Sequence, residues 1–457
     1  MIQFTTLSIK SKVGLGILLS YTSFEVYMQL RTRYLVYSRQ QKFSKLMKDI
    51  SEDDDEAIKK YKSATISGMF INPFEEYRPQ TGFEFLFVRL MEAVESIYGN
   101  KIELHDKYPS PSGEFKEVGD LLKSHKPNLE IMKENAVIFQ ECLSKNNFKK
   151  LFSSSGWFNS LTSNIPAVNN QMLFTWLGQS CSLIQISGIN FLTDPIISDH
   201  LISQHFGPRR LIKSPLSLED INHATNNKLN FVMVSHDHPD HLEMDFAKKI
   251  GNSATWIVPL GMKKKLARKG IFNIIEMDWW DTVPLNQFIT LQNPESKLPD
   301  KYEVVCLPTM HWSGRYILDS NQSLWASFII KRNGKSILYH AGDTGYCEEL
   351  FNLIGKKHGP VKLSLLPIGQ YCPSWHQKPR HISPEESIKI VNNLSSKFMM
   401  GVHWGTFKLS SEPILEPKNL LLDLTSKLNK SNFYKVPEFG LTYLYDLDKD
   451  TEIQFHQ

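Results

Sequence analysis

The chain has 457 residues, 41% of them hydrophobic, and a formal net charge of +4. That length allows one large core with appendages, and 52 basic residues against 48 acidic ones leave no nucleic-acid footprint in the totals. The five cysteines are scattered and lack C-x-x-C spacing, which argues against a disulfide framework and for a reducing compartment.

Residues 1–56 differ from the rest. No acidic residue precedes Glu25, and Lys10 and Lys12 stand before an apolar run that begins at Val13 and persists to about Leu30. Arg31, Arg33, Arg39, Lys42, Lys45 and Lys48 follow, and an acidic cluster, Ser51 to Glu56, closes the segment. A spanning helix needs about 20 predominantly apolar residues, so 13–30 is slightly short and contains one charge. A basic, acid-poor leader also fits a mitochondrial presequence. The expectation is an uncleaved membrane anchor with a short targeting leader; the alternative is a soluble amphipathic helix packed on the rest of the chain.

Residues 57–170 read as a partly helical extension. Thr81 to Glu84 is a capping-box signature, and Phe85, Val88, Leu90, Met91, Val94 and Ile97 follow at helical spacing. Packing against the remainder of the protein is the commoner fate of such a face; lying on a membrane is the other. Residues 99–125 are rich in Lys, Ser, Pro and Glu and read as a surface loop. Mixed helical signals return over 127–165.

From 171 to 457 short apolar runs alternate with helical patterns. Strands are expected at 182–186, 189–193, 231–234, 255–258, 303–308, 325–331, 336–340, 363–368 and 397–402, with helices at 242–251, 261–269, 347–356, 384–395 and 417–429. The alternation gives an α/β class, but by itself does not separate a two-sheet sandwich from a doubly wound sheet. The run 231–234 breaks at Ser235 into a loop with His236, His238, Asp240 and His241. Alternate side chains of an extended segment point the same way, so His236 and His238 can share one metal. Past Pro239 the chain turns towards the helix, and Asp240 and His241 swing to a second position. Neutral imidazole and carboxylate suit zinc or iron. Three later strands each end in a further candidate ligand: His311, Asp343 and His403.

The pattern H-x-H-x-D-H followed by distant His, Asp and His resembles the metallo-β-lactamase superfamily. Phe174 to Gly178 (FTWLG), Phe191 to Pro195 (FLTDP), Gln204 to Arg210 (QHFGPRR), Glu276 to Trp280 (EMDWW), Ala341 to Cys347 (AGDTGYC) and Ile382 to Glu386 (ISPEE) resemble, more narrowly, the N-acylphosphatidylethanolamine-hydrolysing phospholipase D family. The similarity runs from 174 to about 445, with an echo at Phe70 to Pro73.

The resemblance implies an αββα sandwich and two Zn2+ per chain. His236, His238 and His311 would hold the first ion, Asp240, His241 and His403 the second, and Asp343 would bridge them. It implies attack of metal-bound hydroxide on phosphorus, releasing N-acylethanolamine and phosphatidic acid, with Asp240, Asp343 and His381 catalytic. Gln204 and His205 match substrate-side positions, as does His381, which precedes the helix-capping pattern of Ser383, Pro384 and Glu386. The sequence departs from the family at Gln179, where His is usual, and at His205, where an aromatic hydroxyl is common; altered substrate fit is the expected result. A phospholipid substrate, a membrane partner, a homodimer, no nucleic acid, and an intracellular, membrane-associated site, with the mitochondrial inner membrane favoured, complete the expectations. Competing readings are a lactone, thioester or other phosphodiester hydrolase of the same superfamily, and a membrane-tethered scaffold without catalysis.

Overall fold

The computed structural model describes residues 8–48, 57–98, 107–109, 115–117, 121–142, 170–201, 208–289, 298, 300–316 and 319–453. Two mixed sheets form its body. In the first, β5 (Gln171–Gly178), β6 (Cys181–Ile186), β7 (Ile189–Thr193), β8 (Phe231–Met233), β9 (Thr255–Pro259), β10 (Ile274–Met277), β18 (Thr442–Asp446) and β19 (Thr451–Ile453) lie in the order 10-9-8-7-6-5-18-19. The second runs in chain order: β11 (Thr282–Pro284), β12 (Tyr302–Leu307), β13 (Ser327–Arg332), β14 (Lys335–His340), β15 (Leu363–Pro367), β16 (Phe398–Val402) and β17 (Tyr434–Lys435). Each sheet joins antiparallel hairpins to parallel crossovers: β7, β8, β9 and β10 are parallel, as are β14, β15, β16 and β17.

Strand alternation explains why the sheets stack. Phe231 and Met233 of β8 share a core cluster with Val304, Cys306, Phe328 and Leu338 of the second sheet. Val232 and Val234 point the other way and pack with Phe246 and Ile250 of the covering helix Met244–Ile250. A strand buried on both faces reads as a continuous apolar run, which is why these strands were visible in sequence. Strands β10, β11, β17 and β19 at the sheet edges, β5 and β18 inside the first sheet, and the helix Leu218–Ala224 go beyond the expected set. The arrangement is the expected αββα sandwich, not a doubly wound sheet.

The N-terminal part corrects three expectations. Ile9–Lys48 is one 40-residue helix, α1, with Ser8 Oγ accepting from the Ser11 amide at its start. No helix among the described residues is long and apolar enough to cross a membrane, because Glu25 and the arginines from 31 onward interrupt the apolar run. A spanning anchor is therefore not seen; residues 1–7 and 51–56 lie outside the described residues. The second helix, α2 (Gly82–Tyr98), starts where the capping box predicts, and Thr81 Oγ1 accepts from the Glu84 amide at 3.1 Å. Its apolar face, however, is only partly packed: Val88 is buried, while Phe83, Leu86, Phe87, Leu90, Met91 and Val94 are exposed. Third, the stretch read as a loop contains a ribbon pairing Lys107–Pro109 with Phe115–Glu117. Helix α3 (Leu129–Cys142) matches the signals read there, and Met132 packs against the first sheet's outer cluster.

Replacing Phe231 by Ala would open a cavity between the sheets at a fully buried site. A destabilisation of roughly 3–5 kcal/mol is expected, read as a lowered denaturant midpoint with an unchanged slope.

Candidate metal centre

Seven side chains from four chain segments converge at the C-terminal ends of the strands. The loop after β8 supplies His236, His238, Asp240 and His241; segments following β12, β14 and β16 supply His311, Asp343 and His403. Two groups result: His236, His238 and His311, and Asp240, His241, Asp343 and His403. All seven are buried.

In the first group His236 Nε2 and His238 Nδ1 are 2.8 Å apart, and His311 Nε2 is 3.2 Å from the same His238 Nδ1. In the second, His241 Nε2 and His403 Nε2 are 3.1 Å apart. Asp343 lies between the groups: Oδ2 is 3.1 Å from His241 Nε2 and 3.8 Å from His311 Nε2, and Oδ1 is 3.1 Å from His403 Nε2. Asp240 Oδ2 is 3.4 Å from His403 Nε2. Asp240 and His241 sit in a turn, because the helix starts only at Met244; the His241 and Leu242 amides both donate to the His238 carbonyl.

The tautomers explain why this cluster calls for a cation. Asp194, directly after β7, accepts the Ser235 amide at 2.7 Å, the Ser235 hydroxyl at 2.9 Å, His241 Nδ1–H at 2.9 Å and His340 Nε2–H at 2.9 Å. With its proton given to Asp194, Ser235 Oγ accepts from His236 Nδ1–H at 2.9 Å. The Arg380 carbonyl accepts His311 Nδ1–H at 2.9 Å. His236, His241 and His311 therefore all aim an Nε2 lone pair inward. Nitrogens bound to one zinc lie about 3.3 Å apart, from a Zn–N length of 2.0–2.1 Å, close to the spacing here. The donor set fits a divalent metal, with the outer hydrogen bonds fixing ring orientation.

Charge agrees with this. Burial would lower the proton affinity of His241 and His403, but the negative charge of Asp343 and Asp240 outweighs it and holds His241 well up and His403 at about 9, so these carboxylates draw positive charge to the place where a bound cation would displace those protons. Burial prevails at His238 and His311, which fall to about 3 and so offer neutral imidazole, the form a metal takes. Burial would likewise raise Asp194, yet His340 and His241 bring it down to about 2.

The loop is clamped from outside. Asp237, behind the ligands, pairs with Lys265 and accepts the Gly314 amide at 2.7 Å. Arg315 donates to the Asp237 and Leu242 carbonyls at 2.9 and 2.7 Å. Gly342 has φ +58°, and a Cβ there would lie 2.5 Å from Ser235 Cβ. His403 and Gln179 also have positive φ, +61° and +51°, and the His403 amide donates to the Gln179 carbonyl at 3.0 Å.

His381 also reaches the centre, with Nδ1 3.7 Å from Asp343 Oδ2, ahead of a helix (Pro384–Asn393) whose capping box of Ser383 and Glu386 forms as expected. Gln204 and His205 lie outside the described residues. Gln179 does more than shape substrate fit: it is buried, and its side-chain amide donates to Asp240 Oδ2 at 2.9 Å. The sequence reading passed over Asp194, Asp237 and Arg315. Asp194 had a signal, an acid directly at the end of an apolar strand, like Asp343; Asp237 and Arg315 had none.

The pattern described as the beta-lactamase superfamily domain matches residues 189–404. The chain is 36% identical over 444 residues to a Saccharomyces cerevisiae protein named N-acyl-phosphatidylethanolamine-hydrolyzing phospholipase D, mitochondrial, covering 94% of this chain and 87% of the yeast one. It is 33% identical over 286 residues to N-acyl-phosphatidylethanolamine-hydrolyzing phospholipase D 1 of Caenorhabditis elegans, covering 60% and 76%. An uncharacterized protein of Mycobacterium bovis is 37% identical over 262 residues, covering 55% and 64%.

Two substitutions test this geometry. Asp194→Ala should weaken metal binding or activity roughly 10–100-fold, measured by competition with a chromogenic chelator. Gly342→Ala should cost about 1–3 kcal/mol of stability through the clash with Ser235, seen as a lowered melting temperature.

Proposed function

Because the chain belongs to the N-acylphosphatidylethanolamine-hydrolysing phospholipase D family of the metallo-β-lactamase superfamily, we propose that it hydrolyses N-acylphosphatidylethanolamine. Water adds to phosphorus, the bond from phosphorus to the ethanolamine oxygen breaks, and N-acylethanolamine and phosphatidic acid form. The observation that carries the reading is the convergence of both ligand groups on Asp343.

On this reading His236, His238 and His311 would hold one zinc ion and Asp240, His241, His403 and Asp343 a second; metal held there would supply Lewis-acid polarisation of a phosphoryl oxygen and activation of water. The chain supplies the remainder. Asp194 and the Arg380 carbonyl fix the ligand rings, and Gln179 holds the Asp240 carboxylate. Burial outweighs the pull of Asp343 and holds the proton affinity of His381 well down, so it can hydrogen-bond the substrate without adding charge. The helix that starts at Pro384 favours an anion near its N-terminus. Residues 171–457 form the catalytic region in this reading, with 1–56 and 57–170 as ancillary segments.

A lipid substrate has to be met at a membrane, and the exposed stripe of α2, Phe83, Leu86, Phe87, Leu90, Met91 and Val94, supports contact with an apolar surface. The N-terminal end of this helix is tied towards the centre: Glu84 pairs with His376 at 2.7 Å, and the His376 carbonyl accepts from Arg380, next to His381. A mitochondrial location follows the yeast relative's name.

Incubation of the metal-loaded protein with N-acylphosphatidylethanolamine in mixed micelles should yield both products by mass spectrometry, and a chelator should abolish them. Asp343→Asn should reduce turnover to the chelated level and lower the bound-metal content measured by elemental analysis. Turnover of soluble lactones or thioesters in place of the lipid would overturn the reading.

A further inference from the structure

Helix α1 does not lie flat on the body of the protein. It is fastened at two points. Tyr21 Oη accepts the Gly82 amide at 2.7 Å, with the Tyr21 and Phe83 rings edge to face at 5.4 Å. Near the other end Arg39 donates to the Lys60 carbonyl at 3.1 Å and to the Lys62 carbonyl at 2.5 Å. Between these points a cavity of about 460 Å³ separates the helix from the body. That is within the roughly 300–1,000 Å³ of small-molecule sites.

Its walls are more apolar than polar. Tyr21, Phe24 and Met28 come from α1, Phe70 from a short ribbon pairing Thr65–Ile66 with Met69–Phe70, Ile71 from just after it, and Trp312 from the body, while Glu25, Gln29 and Gln80 add polar groups. Trp312 directly follows the candidate ligand His311, and its ring centroid lies 4.2 Å from that of His238. A second link runs through Asn72, another wall residue, whose side-chain amide donates to the His311 carbonyl at 2.7 Å. The cavity therefore adjoins the metal centre, with one tryptophan facing both.

We propose that this cavity takes one acyl chain of the phospholipid whose phosphodiester lies at the metal centre. The inference rests on the phospholipase reading and adds to it a binding site for which α1 supplies one wall. An extended hydrocarbon chain has no hydrogen-bonding groups to satisfy, which suits walls of aromatic and thioether side chains. Trp312 separates the chain from the ligands, so apolar and ionic parts of one lipid meet surfaces of their own kind. With α1 as a wall, the protein has a means of selecting for chain length.

The test compares kcat/KM for N-acylphosphatidylethanolamine carrying only palmitoyl chains with that for its all-hexanoyl analogue, in the same detergent micelles. Met28→Trp fills the cavity from α1 and should lower the long-to-short ratio at least roughly tenfold, the scale at which apolar pockets discriminate size. Leu19→Trp, on an exposed part of α1 away from the cavity wall, should leave the ratio as in the native protein. A photoreactive diazirine at the end of one acyl chain should form adducts on Phe24, Met28, Ile71 or Trp312. An unchanged ratio in Met28→Trp, an equal fall in Leu19→Trp, or adducts only elsewhere would overturn the proposal. Native protein that hydrolyses neither lipid would overturn the phospholipase reading instead, while the diazirine adducts would still report on the cavity.

Discussion

One carboxylate holds the centre together. Asp194 accepts four hydrogen bonds, from the Ser235 amide and hydroxyl, His241 and His340, and so ties the ends of β7 and β8 in one sheet to the end of β14 in the other. A buried carboxylate with so many donors stays ionised. Its charge sets the tautomer of His241 directly and that of His236 through the Ser235 hydroxyl. The inward-facing Nε2 atoms of His236 and His241 are thus oriented by this residue, which lies outside both candidate ligand groups, while the Arg380 carbonyl orients His311. Close approach of the two sheets here also requires Gly342, since a side chain would collide with Ser235.

Each sheet contributes to the site in the same way. Parallel crossovers bring strand ends to one edge of each sheet, and loops there can be polar while the strands remain apolar. The first sheet supplies the histidine-rich loop and the second supplies His311, Asp343 and His403. Gln179, at the hairpin between β5 and β6, joins the sheets again by reaching both Asp240 and His403. Left-handed backbone at Gln179 and His403 costs conformational energy, and the hydrogen bond between their backbones keeps both residues in place.

The candidate ligands were legible in the sequence because each lies in or just after a loop that ends an apolar run, and because four of them fall within six residues. The central strands were legible for a related reason: burial on both faces leaves few polar residues. Other features had no comparable signal. Asp237 and Arg315 act through contacts made far along the chain, so neither position carries a local pattern. The periodicity of α2 gives a helix with an apolar face but does not say whether that face meets protein or something else; among its described residues Val88 is buried and Phe83 meets Tyr21. The N-terminal run likewise has the length of a helix without the uninterrupted apolarity of a span, and hydropathy alone did not show that α1 would stand clear of the body over a cavity.

The order of the ligands along the chain has a consequence for biosynthesis. His236 and His403 are separated by 167 positions, and the strands between them first complete one side of the first sheet and then build the second, whose strand ends deliver His311, Asp343 and His403. A ribosome-bound chain that has emerged only as far as β9 holds a histidine-rich loop without the partners that orient it against the other sheet. Such a fragment can bind metal only weakly and in unselected geometry. Assembly of the full set of candidate ligands is then a late event, coupled to docking of the two sheets.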